Sequence, residues 1–194
     1  LAIYLEVLER SFYERDPKIV ATNLLGKKLV RRLNDTSLEG IIVETEAYYG
    51  LEDPASRAYK GRKNYNFAMW GEVGRLFIYN VHNNWLLNIV AHEVGKIGAV
   101  LIRAIEPLQG IEVMRQNRGV NDIFNLANGP GKLTKALKID KSHYGFPVTS
   151  KDSEIFIAEY RIKFEMDCSY RIGVSKDLEE QLRFFIKGSR FLSR

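Results

Sequence analysis

The spacing of apolar and polar positions changes several times along the chain. Over residues 17–25 the apolar side chains recur at helical spacing, with Asp16 placed to cap the first turn, Pro17 at its start and Gly26 to end it. Residues 28–33 then read as a strand, 34–37 as a turn and 38–48 as the returning strand of a hairpin. Residues 50–74 have poor periodicity and are rich in glycine, charge and aromatic rings, which predicts a long functional loop or lid. A second hairpin is predicted from strands over 76–81 and 85–90 around a turn at Asn83-Asn84, with a further strand over 98–105. The spacing predicts a helix over 107–116 opened by Pro107, and a short one over 131–137 after the turn Asn128-Gly129-Pro130. Strand patterns return at 155–160 and 183–187. Hairpins outnumber helical crossovers, so the expected class is α+β, built on antiparallel sheet rather than a doubly wound parallel one.

The strand 38–48 carries an anomaly. Within Ile42-Val43-Glu44-Thr45-Glu46-Ala47-Tyr48-Tyr49-Gly50, strict alternation puts Ile42, Glu44, Glu46 and Tyr48 on one face and Val43, Thr45, Ala47 and Tyr49 on the other. The two carboxylates would then lie ~7 Å apart along the strand. Ionised carboxylates are costly to bury unless paired, so an edge strand with both glutamates in water competes equally with a functional site. Three features favour the site: Tyr48 follows on the same face, the strand runs into the irregular 50–74 loop, and Arg103 interrupts the apolar strand Val100-Leu101-Ile102-Arg103-Ala104-Ile105. A carboxylate held by an arginine beside an aromatic wall suits a general base that activates water.

Composition narrows the classes. The 194 residues are 45% hydrophobic, enough for a core in one domain. No apolar run reaches membrane-span length, and the first sixteen residues, LAIYLEVLERSFYERD, do not resemble a signal peptide. The single cysteine, Cys168, leaves no internal disulfide or cysteine-built metal site, so a reducing intracellular compartment is expected. Net charge is +5, with basic residues clustered at 27–32, 57–63 and 132–138, compatible with a polyanionic partner if they share a face. His92-Glu93 does not extend to a zinc-binding HExxH, because Lys96 stands at the second histidine position. Asn128-Gly129-Pro130-Gly131-Lys132 lacks the spacing of a nucleotide phosphate loop, and no serine or cysteine sits in a nucleophile elbow.

Several segments resemble the alkyladenine (3-methyladenine) DNA glycosylase family. They are Phe12-Tyr13-Glu14-Arg15-Asp16 with Leu24-Leu25-Gly26-Lys27-Lys28-Leu29-Val30, Val43-Glu44-Thr45-Glu46-Ala47-Tyr48 with Asp53-Pro54-Ala55-Ser56, and Leu101-Ile102-Arg103-Ala104-Ile105-Glu106-Pro107. Asn128-Gly129-Pro130-Gly131-Lys132-Leu133-Thr134, Arg171-Ile172-Gly173-Val174 and Arg183-Phe184-Phe185-Ile186-Lys187-Gly188 complete the match. The resemblance implies a single domain over 1–194: a curved antiparallel sheet with surrounding helices and a DNA-inserting β-hairpin. It implies a monofunctional base-excision-repair glycosylase that flips a damaged purine from double-stranded DNA and hydrolyses its N-glycosidic bond with water, as a monomer, without cofactor, metal or membrane. The expected lesions are 3-methyladenine, 7-methylguanine, hypoxanthine or ethenoadenine. The expected place is the cytoplasm or nucleoid, or the nucleus in a eukaryote.

Carried onto this chain, Glu46 is the general base, Arg103 helps hold the water and the carboxylate, and Glu44 is structural support. Tyr48 and Tyr79 become stacking walls, Asn88 the pocket floor that discriminates against the amino group of guanine, and Gly131 with Lys132 contacts to phosphate. Two departures stand out. Arg57 occupies the place of a usual histidine; its permanent charge is expected to disfavour a cationic base relative to a neutral one. The hairpin 79–88 is one residue shorter than usual, leaving His82 or Val81 as the wedge that fills the stack. Two other functions compete: a non-catalytic damaged-DNA-binding protein on the same scaffold, and an O-glycoside hydrolase using Glu44 and Glu46 as its acid and base.

Overall fold

A computed structural model describes residues 6–193. Helices α1 (Arg10–Tyr13) and α2 (Pro17–Leu24) come first. Asp16 caps α2 by accepting from the Lys18 amide at 2.8 Å, Pro17 stands at its start, and Gly26 leaves it with φ +78°. Strands β1 (Lys28–Leu33) and β2 (Thr36–Tyr48) form the first hairpin, β3 (Leu76–Val81) and β4 (Asn84–Val90) the second, and β5 (Ala99–Gln109) joins them. Helices α3 (Ile111–Arg118) and α4 (Pro130–Ala136) follow, then β6 (Ile155–Ala158), β7 (Met166–Ser169) and β8 (Arg183–Ile186). The strands make one curled, wholly antiparallel sheet in the order β3-β4-β5-β2-β1-β6, with β8 paired to β2 and β7 to β8. The α+β reading holds. No described helix is long and apolar enough to cross a membrane.

Three expectations are corrected. The helix expected at 107–116 begins only at Ile111, and Pro107 is instead part of β5, opposite Gly40. A proline is tolerated there because the ladder shifts register beside it, between Glu39 and Gly40. Gly110, at φ +74°, turns the chain into α3. The hairpin turn falls on His82-Asn83, not Asn83-Asn84: both residues have positive φ, 48° and 62°, and Asn84 is already paired with Val81. This two-residue turn with both centres left-handed matches the twist of the flanking strands. Strand β7 was not anticipated, since Met166 and Asp167 are exposed and carry no alternation.

The third correction concerns the alternation in β2. Ile42 packs in the main core, while Val43 joins Ile41 and Ala104 in a small cluster beneath Phe191 and Leu192. Thr45 and Ala47 return to the core side, Thr45 through a 2.9 Å bond to the Ala21 carbonyl of α2. Two consecutive residues, Val43 and Glu44, therefore leave the core face together. On β5, Ile105 and Ile102 face the core, and Ala104 and Arg103 between them do not. The ladder is irregular at this point, with register shifts on both sides of Glu44. This paired kink puts Glu44, Glu46 and Arg103 on one side without disturbing the register of either end.

Candidate active site

The kinked centre of β2 and β5 forms the back of a cleft of about 820 Å³. Tyr48 at the end of β2, Tyr79 on β3 and Arg103 on β5 line it. The hairpin tip contributes Val81 and His82, the start of α4 contributes Gly131 and Lys132, and the 50–74 loop contributes Arg57. Eight residues singled out from the sequence thus meet around one space. Glu46 and Asn88 lie behind it. Asn88, 2% exposed, sits on β4 opposite Leu101, a residue of the cleft wall.

Both glutamates are fully buried, but their surroundings differ. Glu44 Oε1 accepts from Arg103 Nε at 2.9 Å, Arg183 Nε at 2.7 Å and the Ser193 hydroxyl at 2.6 Å, and Oε2 accepts from the Ser193 amide at 2.6 Å. Two arginines and Ser193 thus enclose Glu44. Glu46 accepts three bonds: from the Ile172 amide at 2.8 Å on Oε1, and from the Tyr48 hydroxyl at 2.8 Å and Arg103 Nη1 at 3.1 Å on Oε2. All three of its donors belong to residues that line the cleft. Glu46 keeps acceptor capacity immediately behind the wall. Burial disfavours the charge on Arg103, but Glu46 and Glu44 outweigh it and hold the guanidinium firmly protonated. Burial, then the charge of Glu46, pushes the Tyr48 hydroxyl well above its ordinary range, so it stays a donor.

Arg171 fastens the wall to the loop. It grips Asp53 with two bonds of 2.7 Å, bonds the Ala47 carbonyl at 2.9 Å, and lies 4.5 Å from the centroid of the Tyr48 ring. Asp53, fully buried, accepts from the Tyr49 and Ala55 amides at 2.9 and 3.0 Å. Further along, buried Asn66 donates to the Arg57 and Gly61 carbonyls and accepts from the Lys63 amide. The loop is therefore braced where it enters the cleft, not loosely draped.

At the other rim, α4 presses on the hairpin. A Cβ added to Gly131 would lie 2.7 Å from that of Asn84, so only glycine permits this approach. Lys132 bonds the side-chain oxygens of Asn125 and Asn128 at 2.7 and 3.0 Å.

The charge around the cleft is one-sided. Lys60, Lys63, Lys132 and Lys176 line it with Arg57 and Arg103, and no aspartate or glutamate is among its described lining residues. Two of the three basic clusters seen in the sequence contribute. The third does not: Lys27, Lys28 and Arg31 pair with Glu159, Glu39 and Glu154. Lys176, Arg171, Arg183, Ser193 and the Ile172 amide escaped the sequence reading. Of these, Arg171, Ile172 and Arg183 lie in segments that carry the family resemblance.

A family model described as Methylpurine-DNA glycosylase (MPG) matches residues 11–190. The chain belongs to the methylpurine-DNA glycosylase family. Among relatives of this family, an Aeropyrum pernix protein is 42% identical over 191 residues, covering 97% of this chain and 93% of its own. One from Mesorhizobium japonicum is 40% identical, covering 96% and 89%, and one from Rhodopirellula baltica 37% identical, covering 96% and 82%. Each carries a provisional name as a 3-methyladenine DNA glycosylase. Within this methylpurine-DNA glycosylase chain, the matched span encloses every element of the cleft except Ser193.

Proposed function

We propose that this chain is a monofunctional DNA glycosylase that turns a damaged purine nucleotide into the cleft and hydrolyses its N-glycosidic bond. The flipped base stacks between Tyr48 and Tyr79, with Asn88 beneath it discriminating against the guanine amino group. Water adds to the sugar C1′ as the bond to the base nitrogen breaks, and Glu46 takes the proton from the water. The carboxylate also stabilises the oxocarbenium-like charge on the sugar, and Arg103 fixes its orientation. His82, exposed at the tip of the tight hairpin, is the wedge; Val81 buttresses it. Gly131, Lys132 and the lysines of the rim meet phosphates.

The single observation that carries this reading is the unequal state of the two glutamates. Glu44 takes four bonds, from Arg103, Arg183 and Ser193, whereas Glu46 takes three, all from residues that line the cleft. The enclosure of Glu44 by Arg103, Arg183 and Ser193 argues against the O-glycoside hydrolase, which needs both carboxylates available to substrate. A non-catalytic DNA-binding role is tested directly. Free base released from alkylated or hypoxanthine duplexes, lost in Glu46→Gln while duplex binding persists, supports the glycosylase; binding without release by the wild type supports the alternative.

A further inference from the structure

Each aromatic wall of the cleft already carries an arginine. The Arg57 guanidinium lies 4.7 Å from the centroid of the Tyr79 ring, and that of Arg171 lies 4.5 Å from Tyr48. The two arginines differ in position. Arg171 is buried, gripped by Asp53 and Asp177, and does not line the cleft, so it polarises Tyr48 from behind. Arg57 is exposed and lines the cleft, while the other packing partner of Tyr79 is the core residue Phe77, ring centroids 5.0 Å apart. Arg57 thus sits at the Tyr79 wall, within the same cleft. No ion pair holds it among the described residues.

We propose that Arg57, seated on Tyr79, makes this site select purine lesions that are electrically neutral, such as hypoxanthine or ethenoadenine, over N-alkylated purines that carry a positive charge. The inference rests on the glycosylase reading above. A cationic base gains from an aromatic face because the ring's electron density attracts positive charge. Here that density is shared with a permanent cation on each wall, and the incoming charge is also repelled at close range in a cleft lined by cations. A neutral base loses nothing to this repulsion. It gains when the bond breaks. The electron pair of the glycosidic bond then passes to the base nitrogen, and a neutral purine becomes anionic until it takes a proton. Arg57 stabilises that developing charge. An N-alkylated purine leaves as a neutral molecule and needs no such help. Selection therefore acts on the chemical step as well as on binding.

Single-turnover base release from hypoxanthine and 7-methylguanine duplexes, by the wild type, Arg57→Gln and Arg57→Glu, tests this. Arg57 is exposed, so both variants are expected to fold, and circular dichroism verifies that they do. The wild type should favour hypoxanthine. Arg57→Gln should shift the ratio of rate constants toward 7-methylguanine by about three- to fivefold, the scale of a cation–π contact at an exposed site, and Arg57→Glu further. A wild type faster on 7-methylguanine, or a ratio unchanged within twofold in both variants, overturns the proposal while leaving the glycosylase reading intact. Release of neither base by the wild type overturns the glycosylase reading itself.

Discussion

Ser193 closes on Glu44 with two bonds, each 2.6 Å long, one from its amide and one from its hydroxyl. That contact completes the enclosure of a carboxylate with no exposed surface, already held by Arg103 and Arg183. Glu44 is thereby a fixed anion that sets where Arg103 lies, and Arg103 in turn reaches Glu46. Glu44→Gln leaves buried Arg103 and half-buried Arg183 short of one negative charge. The variant should lose about 3–5 kcal/mol of stability, the cost of breaking a buried pair from one side. Urea denaturation measures this. At a temperature where the variant stays folded, base release should persist at a reduced rate.

Arg171 joins the loop to the stacking wall, so its loss should affect both. Arg171→Gln removes the two-pronged grip on Asp53 and the cation behind Tyr48. The expected outcome is a loss of about 3 kcal/mol or more, as for other buried pairs. Affinity for damaged duplex should fall with it, since the entry to the 50–74 loop is no longer braced. Calorimetry and a binding isotherm at fixed salt check the two effects together.

Alkaline pH should weaken the fold through its buried tyrosines. Burial holds the hydroxyls of Tyr13 and Tyr48 above their ordinary 10.0. The unfolded chain releases those protons near pH 10, and the folded chain keeps them. Their contribution is therefore complete below pH 10 and is lost as pH rises beyond it. The urea midpoint should be flat from pH 8 to about 9.5 and fall above 10. Tyr13→Phe should reduce that fall. It should also raise stability at pH 8 by about 1 kcal/mol, because the buried Tyr13 hydroxyl has no hydrogen-bond partner among the described residues.

The cationic rim predicts a salt-dependent grip on DNA. Affinity for duplex should drop steeply between about 50 and 200 mM salt, by counterion release. Lys60→Ala and Lys176→Ala should each lower the slope of log affinity against log salt by about 1, with little effect on stability. Lys60 and Lys176 both line the cleft. A slope unchanged in both variants would place the phosphates elsewhere.

Much of this was legible in the sequence because hairpin patterning and turn chemistry are local. The strands of β1 to β4, the cap at Asp16 and the start of α4 needed only near neighbours. Pro107 misled because its strand position depends on a register shift against β2, sixty-seven residues away. The turn at His82-Asn83 was misplaced by one residue because only strand pairing fixes which residues go left-handed. Strict alternation correctly grouped Glu44, Glu46 and Tyr48 but wrongly added Ile42, since the kink is created jointly by β2 and β5. Glu44 and Glu46 look equivalent in the sequence. Their difference comes from Arg183, Ser193 and the Ile172 amide, which lie 139, 149 and 126 residues from the carboxylate each one binds.

The role of Glu46 is the centre of the account. Single-turnover base release from a hypoxanthine duplex, compared among the wild type, Glu46→Gln and Glu44→Gln, addresses it most directly. Glu46→Gln should bind the duplex with near-normal affinity and release base at least 100-fold more slowly, the scale of a lost general base, while Glu44→Gln retains measurable release. Release by a folded Glu46→Gln at the wild-type rate, or its loss in a folded Glu44→Gln alone, would contradict the assignment.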